Sequence, residues 1–200
     1  MAVNFAQTTV SNPNGVQGVY PLIQTLGAEG AIADMQAYVT RSYRNQTGGV
    51  IPFGVLVATD NTPTSNEVFA ADYATGPAGI LGLATEVKHF EVGGTYATGA
   101  VTADSRIGYP NGQTLSVLSK GVAWVFAYEA VALGDAVRFL KVANTGSNAD
   151  ALLGRFGKTS VANKTVAITT GARWLSETTG AGLALLELDI PAAAFTADTI

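Results

Sequence analysis

Glu129, Asp135 and Arg138, with Gly134 and Lys141, interrupt an otherwise apolar run, GVAWVFAYEAVALGDAVRFLKV at residues 121–142. Two carboxylates and a guanidinium in an apolar pocket have the makings of an acid–base site, because burial and neighbouring charge tune such groups for proton transfer. Further along, GRFGKTS (154–160) has the ending of a phosphate-binding loop. His89, the single histidine, could serve a Ser-His-Asp triad, and Glu187 and Asp189 form a carboxylate pair.

Each candidate weakens when the rest of its chemistry is sought. A Walker A loop needs glycine five residues before the glycine of GK[ST], and position 152 is leucine. With no cysteine there is no His/Cys set for a metal, and nothing around the serines resembles a nucleophile elbow. Asp60-Asn61-Thr62-Pro63 lacks the spaced oxygen ligands of a calcium loop. Asn45-Gln46-Thr47 and Asn163-Lys164-Thr165 fit the glycosylation pattern, which has no meaning without export. The expectation is a protein that is not an enzyme and uses no cofactor or metal.

The elements that must carry these residues read as β-structure. From Gly49 onward, short apolar runs alternate with turn residues: IPFGVLVA (51–58), EVFAA (67–71), GILGLATEV (79–87), VTADSRIGY (101–109), TLSVLS (114–119), GVAWVFAY (121–128), DAVRFLKV (135–142), KTVAIT (164–169), ARWLS (172–176) and LALLELDI (183–190). Strands so spaced indicate an all-β sandwich or barrel with little helix. In the last run Ala184, Leu186, Leu188 and Ile190 share a face, Glu187 and Asp189 take the other, and Pro191 ends the ladder. In GVLVA both faces are apolar, so that strand is sandwiched. Trp124, Phe126, Trp174 and Tyr128 lie at strand spacing and read as core, and Gly134-Asp135 reads as the turn between two strands. On this reading Glu129, Asp135 and Arg138 punctuate β-structure rather than catalyse.

Residues 1–48 have a different texture, an N-terminal arm ahead of a body at 49–200. NPNG (12–15), Tyr20-Pro21 and GAEG (27–30) break them, with room for a short helical turn in AIADMQAY (31–38). The arm nevertheless carries Tyr20, Leu22, Ile23, Met35 and Tyr38, followed by Arg41, Tyr43 and Arg44. These are the expected contacts with other copies or with a larger partner.

Composition points the same way. The chain is 48% hydrophobic and only 13% charged, about half the usual charged share. Its surface has few groups to keep it solvated, which suits a homo-oligomer or a protein that lies against a partner. A net charge of −4 with scattered Lys and Arg is too little to neutralise a nucleic-acid backbone. The N-terminus lacks a signal-peptide pattern and no apolar run is long enough for a bilayer span, so neither export nor membrane is expected.

As an ordered set, IPFGVLVA, ILGLATEV, GVAWVFAYEAVALGDAVRFLKV and ARWLSETTGAGLALLELDIPA, preceded by GAEGAIADMQAYVTRSYRNQT, resemble the structural cement (head decoration) proteins of tailed bacteriophages. The likeness runs through roughly residues 15–192. It implies a β-sandwich or barrel body, a symmetric oligomer with a trimer favoured over a dimer, and the major capsid protein as partner. It also implies a place on the outer capsid surface of the virion, assembled in the host cytoplasm, and no catalytic residues. The rival reading is a carbohydrate- or receptor-binding virion module, for which Tyr109 beside Pro110-Asn111-Gly112 is the available aromatic, though the segment reads more simply as a turn.

Overall fold

The computed structural model describes residues 27–33, 38–59, 67–68, 79–86, 107–146 and 148–198. Its strands are β1 (Val39–Asn45), β2 (Ile51–Pro52), β3 (Leu56–Ala58), β4 (Glu67–Val68), β5 (Ile80–Ala84), β6 (Gly108–Tyr109) and β7 (Thr114–Ala127). They continue with β8 (Val137–Leu140), β9 (Phe156–Gly157), β10 (Thr165–Thr170), β11 (Ala172–Trp174), β12 (Gly182–Asp189) and β13 (Ala194–Ala197). The protein is all-β. Among the described residues the helical content is one 3-10 turn at Ile190–Ala192, where Pro191 ends β12, and no helix is long and apolar enough to cross a membrane.

An 11-stranded sheet in the order β11-β12-β7-β9-β8-β10-β13, with β1, β4, β3 and β5 branching from it, curls into a half-barrel. Strand β7 is its spine, and TLSVLS and GVAWVFAY, read apart in the sequence, are one continuous strand. Leu118 pairs with both Thr40 and Leu83, Ala123 with both Leu186 and Ile32, and Ala127 with both Gly182 and Phe156. One edge of β7 is therefore covered by β5 and then β12. The other is covered by β1, the stretch around Ile32, and β9.

A bulge in β7 sets which side chains go inside. Val39 pairs with Lys120 but Thr40 pairs with Leu118, so Ser119 is an extra residue, and its hydroxyl donates to the Val39 carbonyl at 3.1 Å. Because strands alternate, one extra residue swaps the faces. Leu115 and Val117 before the bulge enter a second core with Ile51, Val55, Val57, Ala84 and Tyr109. Ala123, Val125 and Ala127 after it enter the main core with Phe139, Phe156, Trp174, Leu186 and Leu188. Gly121 makes the bend with φ +139°, and a Cβ there would stand 2.9 Å from the Cβ of Tyr38.

Most of the expected core is found inside. Leu56 joins the main core while Val55 and Val57 join the second, so GVLVA is sandwiched as its two apolar faces require. Ala184, Leu186 and Leu188 are buried on β12, and Trp174 and Tyr128 are buried as expected. Trp124 and Phe126 are a correction: they are half-buried on the outer face of β7, and the small residues between them face the core. The bulky rings of Phe139, Phe156 and Trp174 fill the interior from opposite strands, which leaves room there for alanine and valine. Of the expected arm, residues 1–26 and 34–37 lie outside the described residues, the latter being the middle half of the candidate helical turn. Residues 39–45 are β1, paired along β7.

Candidate functional site

Three of the four charged residues of the opening run, Glu129, Asp135 and Arg138, do come together. They meet at the end of β9 and just after it, on the GKT of GRFGKTS. The backbone N–H groups of Lys158 and Thr159 each donate to Oε1 of Glu129 at 2.8 Å, and the Thr159 hydroxyl donates to Oε2 at 2.6 Å. Lys158 Nζ donates to Asp135 at 3.0 Å, and Arg138 donates to the Lys158 carbonyl and to Asp198. Asp198 also accepts from the Thr165 hydroxyl. Gly157 permits the approach: a Cβ on it would lie 2.4 Å from the Tyr128 ring and 2.6 Å from Glu129 Oε1.

The chain's nearest likeness to a phosphate loop thus cradles an anion, and the anion is its own glutamate. Burial opposes the charge on Glu129, but the hydrogen bonds from Thr159 and Lys158 outweigh it and hold the carboxyl below its ordinary value. The Lys158 ammonium, helped by the Ala132 N–H, holds Asp135 low as well. Burial, reinforced by the adjacent Glu129 charge, pushes the Tyr128 phenol well above its ordinary value. Near neutrality both carboxyls are ionised and the phenol is protonated, and three donors of the fold converge on Glu129. Acid–base catalysis needs a group poised near working pH and aimed at an open position. The arrangement ties β7, β8 and β9 together instead.

The other candidates resolve similarly. Glu187 pairs with Arg173 across β11 and β12, and Asp189 pairs with Lys120 at 2.7 Å, so the carboxylate pair belongs to a charged outer face. Tyr109 is 1% exposed, its hydroxyl donates to the Thr85 carbonyl at 2.8 Å, and its ring meets Phe53 edge-on at 5.2 Å. It is a core residue and offers no platform to a sugar. His89 lies outside the described residues, and among the described residues no group of three His, Cys, Asp or Glu side chains could hold a metal.

Of the expected contact residues, Tyr20, Leu22, Ile23 and Met35 lie outside the described residues. Tyr38 is exposed just before β1, and Arg41 and Arg44 are exposed along it. Tyr43 packs on the second core, and Arg44 Nε donates to the Gly112 carbonyl at 3.2 Å.

A family described as structural cement protein (E217 gp24/Pam3 gp6) matches residues 16–189. This chain belongs to that family. It is a structural protein of the phage capsid. The cement-protein match starts in the arm and ends at the last residue of β12, so it takes in the spine, both cores and the Glu129 cradle. Among curated proteins no sequence matches. Among solved structures, a chain from the capsid of Myoviridae phage XM1 is 17% identical, with a TM-score of 0.56 over 86% of this chain and 96% of that one. At that identity the two share a fold. The head fiber gp8.5 N base of bacteriophage phi29 gives a TM-score of 0.37 at 11% identity, over 79% of this chain and 98% of that one.

Two residues escaped sequence reasoning. Asn45, read only as a glycosylation pattern, is fully buried at the end of β1. Its amide donates to the carbonyls of Gly49 and Tyr109 at 2.8 Å, and its oxygen accepts from Thr47 N–H and hydroxyl. Arg155 is 7% exposed, with its guanidinium carbon 3.8 Å from the centroid of the Phe126 ring, Glu29 at 3.7 Å and Asp150 at 3.4 Å. Polar residues beside turn glycines, here GRFG and NQTGG, are the signal that such locks leave in a sequence.

Proposed function

We propose that this cement protein binds the outer surface of the assembled major capsid shell as a homo-oligomer, a trimer in preference to a dimer, and reinforces contacts between capsomers. The observation that carries the reading is the family match over residues 16–189. The charge economy supports it. Many of the few charged groups are spent on pairs within the chain, among them Lys158–Asp135, Arg138–Asp198, Lys120–Asp189 and Arg173–Glu187. Tyr38 and Val39, 42% and 44% exposed, with Arg41 and Arg44 beyond them, give β1 a mixed apolar and cationic surface suited to a protein partner. Oligomer formation adds avidity, since each bound subunit holds the next at high effective concentration.

Capsids assembled without the protein provide the test. Purified protein added to them should co-sediment at saturable stoichiometry and raise the temperature at which the shells lose their contents. Cryo-electron microscopy should place it on the outer surface, bridging capsomers. Protein that stays in the supernatant, or that binds without changing shell stability, overturns the proposal.

A further inference from the structure

Strand β13 is one end of the large sheet. Among the described residues it pairs with β10 on one side and with no strand on the other. Its residues, Ala194-Phe195-Thr196-Ala197, carry no charge, and all but Phe195 are exposed. Phe195 is turned inward, where its ring meets Phe139 edge-on at 6.4 Å. Sheet edges are ordinarily kept from pairing with one another by charges or proline. The strand at the other end, β11, carries Arg173, and β1 carries Arg41 and Arg44. Neither device is present on β13.

Alternation sorts the backbone of this strand. The Asp198 N–H donates to the Thr165 carbonyl on β10. The Ala194 N–H donates to the Thr170 hydroxyl, and the Ala194 carbonyl accepts from the Thr169 hydroxyl. Thr196, between them, stands opposite Ala167. Residues 194, 196 and 198 thus turn their N–H and C=O groups towards β10, and Phe195 and Ala197 turn theirs away.

We propose that this edge pairs with the same edge of a second copy of the chain, antiparallel about a two-fold axis at Thr196. In that register Phe195 lies opposite the partner's Ala197, and Ala197 opposite the partner's Phe195. Each pair exchanges both of its N–H···O bonds, so every outward backbone group of the strand is satisfied. Thr196 meets the partner's Thr196 as the closely spaced pair between them, a combination that stabilises antiparallel sheets. Charge does not oppose the contact. Asp198, the nearest charged residue along the chain, falls opposite the partner's Ala194 and is already paired with Arg138 at 3.2 Å. This self-match of donors, acceptors and side chains selects a second copy over any other extended strand. So short an edge buries little area, which makes the contact weak and suits it to copies crowded together. Being two-fold, it is separate from a threefold interface and joins one oligomer to the next.

The chain has no cysteine, so a single introduced cysteine can join two chains and no more. Closely spaced antiparallel pairs hold their Cα atoms about 4.5 Å apart, within the range of a disulfide. In free full-length protein under mild oxidation, Thr196→Cys should form the two-chain disulfide about tenfold faster than Leu133→Cys, at a turn 60% exposed. Pairing holds its two thiols at high effective concentration. Ala194→Cys, on the same face but opposite residue 198 in this register, should react at the Leu133→Cys rate. Adding Ala197→Pro to Thr196→Cys removes an outward N–H without touching the bonds to β10, and should slow crosslinking to the control rate while circular dichroism stays native. Equal rates for Thr196→Cys and Leu133→Cys, or an equally fast Ala194→Cys, overturn the proposal. So does a natively folded Thr196→Cys/Ala197→Pro variant that crosslinks undiminished; if that variant fails to fold, the single-cysteine comparison decides alone. The measurements use no capsid, so their failure leaves the capsid reading intact, and failure of capsid binding leaves this contact intact.

Discussion

The carboxylate of Glu129 is ionised near neutrality despite its burial because three hydrogen-bond donors from Lys158 and Thr159 converge on it. A carboxyl held below its ordinary value in the folded state binds its proton less readily than in the unfolded chain. Its contribution to stability is therefore full above the unfolded value near 4.3 and is lost as pH falls through the lower folded value. Glu129→Gln should lower stability at pH 7 by about 1 kcal/mol, allowing for solvent screening, and the gap to the unaltered protein should close as pH drops below about 4. Urea melts over pH 3–7 measure this, and a constant gap would mean that the charge is not what the loop recognises. Asn45 predicts a larger effect because it is fully buried and its amide is engaged from both ends. Asn45→Ala should cost about 1–3 kcal/mol in the same melts. The chemical nature of these residues was visible in the sequence, but their convergence was not. Glu129 and Thr159 are 30 positions apart and Asn45 and Tyr109 are 64 apart, distances over which spacing carries no signal.

At the scale of elements, hydrophobic alternation was a good guide wherever one face is charged. On β12 the charges of Glu187 and Asp189 mark the outside, and Ala184, Leu186 and Leu188 are inside as read. On β7 alternation could not choose, because Trp124 and Phe126 alternate as regularly as Ala123, Val125 and Ala127. Side-chain size suggested the wrong set, and the decision belongs to what faces each side. Strand β1, VTRSYRN, was missed as a body strand because its register is held by hydrogen bonds to β7 rather than by an apolar stripe. The bulge left only the glycine as its trace. Gly121→Val should destabilise by about 1–3 kcal/mol, since φ +139° and the Tyr38 contact both oppose a side chain. Trp174→Ala should cost about 3–5 kcal/mol as a main-core truncation, and Trp124→Ala distinctly less. Equal losses in chemical denaturation would return Trp124 to the core.

For the whole molecule, the question is how much of the N-terminal region the body needs. The stretch around Ile32 and strand β1 cover consecutive parts of one edge of β7, and Asn45 locks the turn that follows. Residues 1–26 lie outside the described residues. A chain starting at Gly27 should keep a cooperative thermal transition, because it retains the backbone hydrogen bonds of Gly30, Ala31 and β1 to β7. A chain starting at Gln46 loses β1 and leaves backbone N–H and C=O groups of β7 open along residues 114–120, an edge that invites pairing between molecules. That second truncation should aggregate or melt without cooperativity, as read by circular dichroism and size-exclusion chromatography. If instead it behaves like the first, β1 is an accessory to the fold and its exposed residues are free to leave the body when a partner binds.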